Sequence, residues 1–215
     1  MRYGALNPLT DGVQLAVTEE GGKLLLRSFA PMRAREASGL PGFVEKELGT
    51  IGLAVGDISF WSTGAGPGGF TALRMTAALV AAWALGHEKI KFRCVPSAIA
   101  LAGNLPGAEG EELDCLFDGR NNEILLYGLV FRQGEWRPRN FTCVLNGSSW
   151  TRYASVPRRC AFSAAEYEAV KRITGETPLE KCDPDCVNLI RTTAFPYDNA
   201  ADGLIYIREA VELKA

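Results

Sequence analysis

Four glycines within six positions follow a short apolar run, and a phosphate-binding loop is the chemistry that such a cluster could support. They are Gly64, Gly66, Gly68 and Gly69, with Pro67 among them. The spacing Gly64-x-Gly66-x-x-Gly69 satisfies the dinucleotide pattern GxGxxG. However, the next strand ends without a ribose-binding acid, and Phe70 stands where a P-loop has its lysine. The sequence therefore favours a structural glycine loop that lets a strand turn directly into a helix, and a side chain at Gly69 is expected to destabilise the fold.

Three polar residues near the middle of the chain could form an acid/base set. Asp118 would lie at the end of a strand, with Arg120 and Glu123 in the turn that follows. The alternative is structural: Asp118 and Arg120 would pin a tight turn, and Glu123 would lie at its rim. The sequence favours the structural alternative.

The remaining candidates for catalysis or metal binding are weak. His87 is the only histidine, so a Ser–His–Asp triad or a paired-histidine metal site would need unusual substitutes. Its expected role is an interaction with the dipole at a helix C-terminus. Cys182 and Cys186 could hold half a zinc site, but the sequence has no second closely spaced Cys pair and no neighbouring His to complete it. No catalytic residue, metal or cofactor is therefore predicted.

The helix predicted over Thr71–Gly86 is apolar nearly all round, and Arg74 is its only charge. A surface helix normally has a charged face opposite its apolar stripe, so this helix must be covered on both sides. Leu73, Thr76 and Val80 are expected to face the sheet. A run of nine apolar residues is far shorter than the ~18–20 that span a bilayer, which excludes a membrane helix. The outer face is predicted to bind a partner protein, through Arg74, Ala77, Ala78, Ala81 and Leu85.

The chain around this helix alternates between strand-rich and helical segments. Predicted strands are Tyr3–Leu6, Val13–Thr18, Lys23–Phe29, Ile58–Thr63, Lys89–Val95, Leu113–Asp118, Glu123–Arg132 and Trp136–Leu145. Predicted helices besides Thr71–Gly86 are Ala34–Glu47, Ser97–Asn104, Ala164–Ile173 and Pro184–Thr192. The turn-rich segment Asn104–Gly110 is the best boundary. Two sets of three strands, each followed by helices, predict an α/β protein with a duplicated plan, divided into residues 1–105 and 106–215.

Composition excludes several classes of protein. The 215 residues are 47% hydrophobic and 22% charged, which is ordinary for a globular domain. A net charge of −2 argues against an independent nucleic-acid surface, which needs clustered Lys or Arg. The first residues lack the pattern of a secretory signal, so a cytoplasmic location is expected, with all six cysteines reduced.

The stretch Gly66–Arg74, GPGGFTALR, resembles the GPGSFTGLR signature of the bacterial TsaB family, also called YeaZ. Two weaker matches lie downstream: Asp118–Ile124 against DARxxEVY, and Leu204–Arg208 against PxYLR. The N-terminal third departs from the family, since Asn7-Pro8-Leu9 stands for its DTS and Arg35-Glu36-Ala37 for its HSE. The resemblance implies an actin-like ATPase fold (ASKHA, ribonuclease-H-like), with two related subdomains, the second smaller and degenerate.

The resemblance also implies a function in tRNA modification. A TsaB-like chain would be a noncatalytic scaffold that binds and activates the catalytic TsaD-type subunit, which makes threonylcarbamoyladenosine at position 37 of tRNA. Further partners would be the ATPase subunit of that complex or a second copy of the chain, with helices Ala34–Glu47 and Thr71–Gly86 forming an intermolecular bundle. Two rival hypotheses are a degenerate actin-fold kinase, ATPase or peptidase-like enzyme, and a homodimer that never meets the catalytic subunit.

Overall fold

The computed structural model describes residues 1–32, 38–200, 203–205 and 207. In chain order the elements are β1 (Arg2–Pro8), β2 (Gly12–Glu19), β3 (Leu24–Pro31), α1 (Leu40–Thr50), β4 (Phe60–Gly64), α2 (Phe70–Gly86), β5 (Lys91–Val95), α3 (Ser97–Ala102), β6 (Glu112–Arg120), β7 (Glu123–Arg132), β8 (Glu135–Leu145), α4 (Gly147–Tyr153), β9 (Cys160–Ser163), α5 (Tyr167–Thr174), β10 (Glu180–Cys182) and α6 (Val187–Arg191). Short 3-10 turns cover Val55–Asp57 and Ala164–Glu166.

The first sheet has the strand order β3-β2-β1-β4-β5. Strands β1, β2 and β3 form an antiparallel meander, and β4 and β5 extend it in parallel. Alternation along β1 sends Leu6 to one face and Ala5 and Asn7 to the other, so both faces are buried. Helices must therefore cover both faces of this sheet.

The second sheet repeats the plan of the first. Its order is β10-β9-β6-β7-β8, in which β6, β7 and β8 form the meander and β9 and β10 are added in parallel on the other side of β6. The helices of the second unit are shorter, since α2 has 17 residues whereas α4 has 7 and α5 has 8. The predicted duplication of an α/β unit, with a reduced second copy, is confirmed.

Three apolar clusters fill the spaces around the sheets. The first lies under α1 and α2 and contains Leu6, Val44 and Val80. The third lies under α4 and α5 on the far face of the second sheet. The central cluster joins Ala5 of the first sheet to Leu113 of the second through α3 and α6. Because this core is shared, the two sheets bury apolar surface against a common layer.

Sequence patterns located most elements to within a few residues. The helix predicted over Ala34–Glu47 differs, since α1 begins at Leu40 and runs to Thr50, and residues 33–37 lie outside the described part of the chain. Three elements were not predicted, namely α4, β9 and β10. The last two are 4 and 3 residues long, too short to show an alternating pattern.

The chain after β10 returns to the first sheet. Helix α6 packs against β1, β4 and α3, and the Asn199 amide donates to the Phe92 carbonyl on β5. The described residues 187–200 are therefore part of the covering of the first sheet, and the division at residue 105 remains a prediction. Among the described residues, no helix combines the length and the apolar composition that a bilayer span requires.

Candidate functional site

The glycine loop packs against the chain's own C-terminal segment. Gly66 has a φ of +104°, a conformation that side-chain-bearing residues rarely adopt. A Cβ on Gly66 would lie 2.9 Å from the carbonyl oxygen of Ile205, and the Ile205 amide donates to the Ala65 carbonyl at 2.8 Å. The close backbone approach that this glycine allows is therefore used by Ile205.

The requirement for glycine differs along the loop. A Cβ on Gly64 would lie only 2.4 Å from Oδ1 of Asn7, which is completely buried at the end of β1. Gly69, in contrast, has a φ of −66° and no atom within 4 Å of its would-be Cβ. The expectation that a side chain at Gly69 would strain the backbone is wrong, because its φ is negative and no neighbouring atom crowds the position.

A buried arginine fastens the C-terminal segment to the first sheet. Arg93 on β5 is 3% exposed. Its guanidinium donates to the carbonyls of Leu189 and Ile190 at 2.7 and 2.9 Å and to that of Phe195 at 2.6 Å. It also donates to the Ser62 hydroxyl and lies 4.2 Å from the ring centroid of Tyr197. Burial lowers the pKa of the Arg93 guanidinium, but the acceptors around it compensate for the lost water.

The two halves also meet where the β1–β2 turn faces the second sheet. Glu166, which is 7% exposed, accepts hydrogen bonds from the Thr10 hydroxyl and from the Asp118 amide. Burial raises the pKa of the Glu166 carboxyl, and the charges of Asp118 and Asp11 raise it further, although the two hydrogen bonds oppose this shift. The Thr10 hydroxyl and the Asp118 amide, which meet between the two halves, thus both donate to the Glu166 carboxylate.

Asp118, Arg120 and Glu123, considered above as an acid/base set, lie at the tight turn between β6 and β7. Oδ1 of Asp118 accepts a hydrogen bond from the Arg120 amide at 2.8 Å, and Arg120 and Glu123 are paired across the β6–β7 hairpin. Arg120, Asn121 and Asn122 all have positive φ values between 50° and 60°. The structural alternative for Asp118 and Arg120 is confirmed, since Asp118 bonds to the turn that follows it.

The other candidate residues are not brought together. His87 is exposed at the C-terminus of α2, and its ring lies beside Gly56. Cys182 is half-buried, Cys186 is buried, and all six cysteines are free thiols. Burial raises the pKa of Cys186 to about 12, which makes it a poor nucleophile and metal ligand at neutral pH. Within the described residues, no cluster of three His, Cys, Asp or Glu side chains could hold a metal ion.

Helix α2 has one buried and one open face, but their boundary differs from the prediction. Leu73, Thr76 and Val80 are buried, as expected, and so is Ala77, which is 2% exposed. Ala81 is half-buried against the apolar cluster that lies under α1 and α2. Ala77 and Ala81 therefore border the sheet, because the buried stripe is centred between residues 77 and 80. The exposed residues of the helix before its C-terminus are Thr71, Arg74, Ala78, Ala82 and Leu85.

This set is called the α2 open face. Leu85 is 90% exposed, and between it and Arg74 lie only the methyl groups of Ala78 and Ala82. Arg74 makes interactions of its own within the protein. The α2 open face is therefore apolar from Ala78 to Leu85 and polar at Thr71 and Arg74.

Two related subdomains, each a five-stranded mixed sheet with helices on it, define an actin-like ASKHA fold. Two solved structures share it: a protein with similarity to peptidase YEAZ and YeaZ itself, both from Pseudomonas aeruginosa. Each has a TM-score of 0.67, at 21% and 22% identity, and each comparison covers 88% of both chains.

The family model described as TsaD, tRNA N6-adenosine threonylcarbamoyltransferase, matches residues 33–137, a range that includes the glycine loop and α2. A search of curated proteins gave no significant match. Gly66–Arg74, the stretch that resembles the TsaB (YeaZ) signature, lies within the matched range, and the two YeaZ-like structures share the fold of this chain.

Proposed function

We propose that this chain is a noncatalytic scaffold that binds a TsaD-type threonylcarbamoyltransferase subunit and supports its modification of adenosine 37 in tRNA. The observation that carries the proposal is the α2 open face. In this face Leu85 is 90% exposed, and Arg74 is the one charged residue of the set. A second copy of the chain would use the same face when the catalytic subunit is absent. The ATPase subunit of such a complex is a further candidate partner.

The composition of the α2 open face suits a helix-on-helix contact. Ala78 and Ala82 carry only methyl groups, so a partner helix can approach the backbone of α2 closely. Leu85 would supply an apolar anchor at one end of the contact. At the other end, Arg74 would form an ion pair with a carboxylate of the partner and so set the orientation of the partner helix.

The state of the other candidate sites supports a binding role over an enzymatic one. The glycine loop contacts Ile205 of the same chain, and Asp118 pins a turn. Asn7, which stands for the aspartate of the family's DTS, is buried and hydrogen-bonded to Gln14. Each of these groups has a contact within the chain itself. The rival hypothesis of a kinase, ATPase or peptidase has no specific observation in its favour.

A charge in the middle of the α2 open face should abolish association. Ala78→Glu and Ala82→Glu would each bury an unpaired carboxylate in the contact, which costs several kcal/mol, and should weaken binding at least about a hundredfold. Both positions are exposed in the monomer, so its melting temperature should change little. Analytical ultracentrifugation of each variant, alone and with the catalytic subunit, measures the effect.

Thr151→Glu is the matched control, because Thr151 is exposed on α4, far along the chain from the α2 open face. This variant should associate like the wild type. Normal association of Ala78→Glu and Ala82→Glu would place the interface elsewhere. Loss of folding in these two variants would show that this face of α2 belongs to the core of the chain.

A further inference from the structure

Glu166 joins the two halves of the molecule at a point outside the shared apolar core. It follows β9 and is the residue before α5, so its backbone belongs to the second half. Oε1 of its carboxylate accepts a hydrogen bond from Thr10, in the turn between β1 and β2 of the first half. Oε2 accepts from the Asp118 amide at 3.2 Å, at the end of β6. One side chain therefore connects three separate segments.

The electrostatic surroundings of Glu166 oppose its ionised form. Its side chain is almost completely buried, and the described residues include no Lys or Arg that forms an ion pair with it. The charged groups that act on it are Asp118 at the end of β6 and Asp11 in the β1–β2 turn, and both are acidic. Within the described part of the chain, Thr10 is the side chain that donates a hydrogen bond to it. The hydrogen bonds thus hold the carboxylate against both desolvation and repulsion.

We propose that Glu166 is a proton-sensitive clasp that sets how tightly the β1–β2 turn is held against the second half. When the carboxyl takes up a proton from solvent, its charge disappears and both contacts can persist. The protonated oxygen donates to the Thr10 hydroxyl, while the other oxygen still accepts from the Asp118 amide. Ionisation at higher pH keeps these hydrogen bonds but restores the repulsion from Asp11 and Asp118. The clasp therefore opens more often as the pH rises.

The direction of the pH dependence follows from the pKa of Glu166. This pKa is raised in the closed clasp, so the closed form binds the proton more tightly than an opened, solvated form does. The stabilisation is complete below the pKa of the opened form and is lost as the pH rises through the pKa of the closed form. The relevant range begins near the ordinary glutamate pKa of about 4.3 and extends upward.

Hydrogen exchange at the Asp118 amide tests the clasp, because this amide donates directly to Glu166. The protection factor of this amide in the wild type should fall between about pH 5 and about pH 8. The total fall should be about tenfold for each unit by which the Glu166 pKa in the closed form exceeds that in the opened form. In Glu166→Gln, the side-chain amide introduced at position 166 is uncharged. It can still accept a hydrogen bond from the backbone amide of Asp118 and donate one to the Thr10 hydroxyl. The protection factor of this variant should therefore not depend on pH.

Two further variants and an internal control separate the clasp from a general loss of stability. Glu166→Ala removes both hydrogen bonds and should lower the protection of the Asp118 amide about tenfold or more at every pH. Thr10→Val removes only the contact with the first half and should lower it less. The Leu126 amide, in the centre of the second sheet, reports global unfolding and should stay protected. Equal pH dependence in the wild type and Glu166→Gln, or unchanged protection in Glu166→Ala, would overturn the proposal.

Discussion

Arg93→Met is expected to lower the free energy of unfolding by about 3–5 kcal/mol, because it leaves several buried acceptors without a donor. The guanidinium donates to the carbonyls of Leu189, Ile190 and Phe195. Methionine fills much of the same volume but has no hydrogen-bond donor in its side chain. The segment that carries these carbonyls, residues 187–200, should then lose its attachment to β5.

Urea denaturation of the wild type and the variant measures this loss, and two controls define its origin. Arg191→Met makes the same substitution at an exposed position of α6 and should change the free energy of unfolding by less than about 0.5 kcal/mol. Arg93→Lys keeps the charge but cannot reach all the acceptors, so its stability should lie between those of the other two. Equal stability of Arg93→Met and Arg191→Met would mean that the carbonyls find other donors.

Gly66→Ala and Gly69→Ala should differ in stability although they lie three residues apart in the same loop. Alanine at position 66 meets a φ of +104° and the Ile205 carbonyl at 2.9 Å. Backbone strain of about 1–3 kcal/mol is expected there, and displacement of Ile205 adds to it. Position 69 has an ordinary φ of −66° and open space, so alanine should be neutral or slightly stabilising.

Thermal melting of the two variants tests the role of the loop. A large drop in melting temperature for Gly66→Ala and none for Gly69→Ala would show that the loop is shaped by contact with the C-terminal segment. Comparable destabilisation of both would contradict this account, because it would mean that Gly69 has a requirement that its backbone and surroundings do not show. Addition of inorganic phosphate should not shift the melting temperature of the wild type.

The sequence predicted the local elements well because they depend on short-range patterns. The strand–loop–helix unit around Gly64–Gly69 and the two meanders follow from alternation, turn residues and an apolar helix. The duplication itself showed in the order of elements and in the resemblance to a family, and not in any repeated residues. What the sequence could not show was which distant segments meet.

The return of residues 187–200 to the first sheet is such a long-range contact. Arg93 and Phe195 are 102 positions apart, and Thr10 and Glu166 are 156 positions apart. A buried arginine and a buried glutamate look like ordinary surface residues in a sequence. Arg93 gave no such signal, because Lys91 and Arg93 alternate with Phe92 and Cys94 in β5, as charged residues do in a half-exposed strand.

The helix faces of α2 show a second limit of sequence patterns. When nearly every residue is apolar or small, periodicity does not locate the boundary of the buried stripe. Ala77 and Ala81 were predicted on the outer face, whereas Ala82 was not. The structure resolves this by the burial of Leu73 and Val80, which fixes the rotation of the helix about its axis.

Reconstitution of threonylcarbamoyl transfer tests the central proposal most directly. The catalytic subunit would be assayed with tRNA alone, with the wild-type chain and with Ala78→Glu. The proposal predicts that the wild-type chain raises the rate of modification, that Ala78→Glu does not, and that the chain without the catalytic subunit has no activity. A rate that is the same with and without the chain, or transfer by the chain alone, would contradict the account of a noncatalytic scaffold.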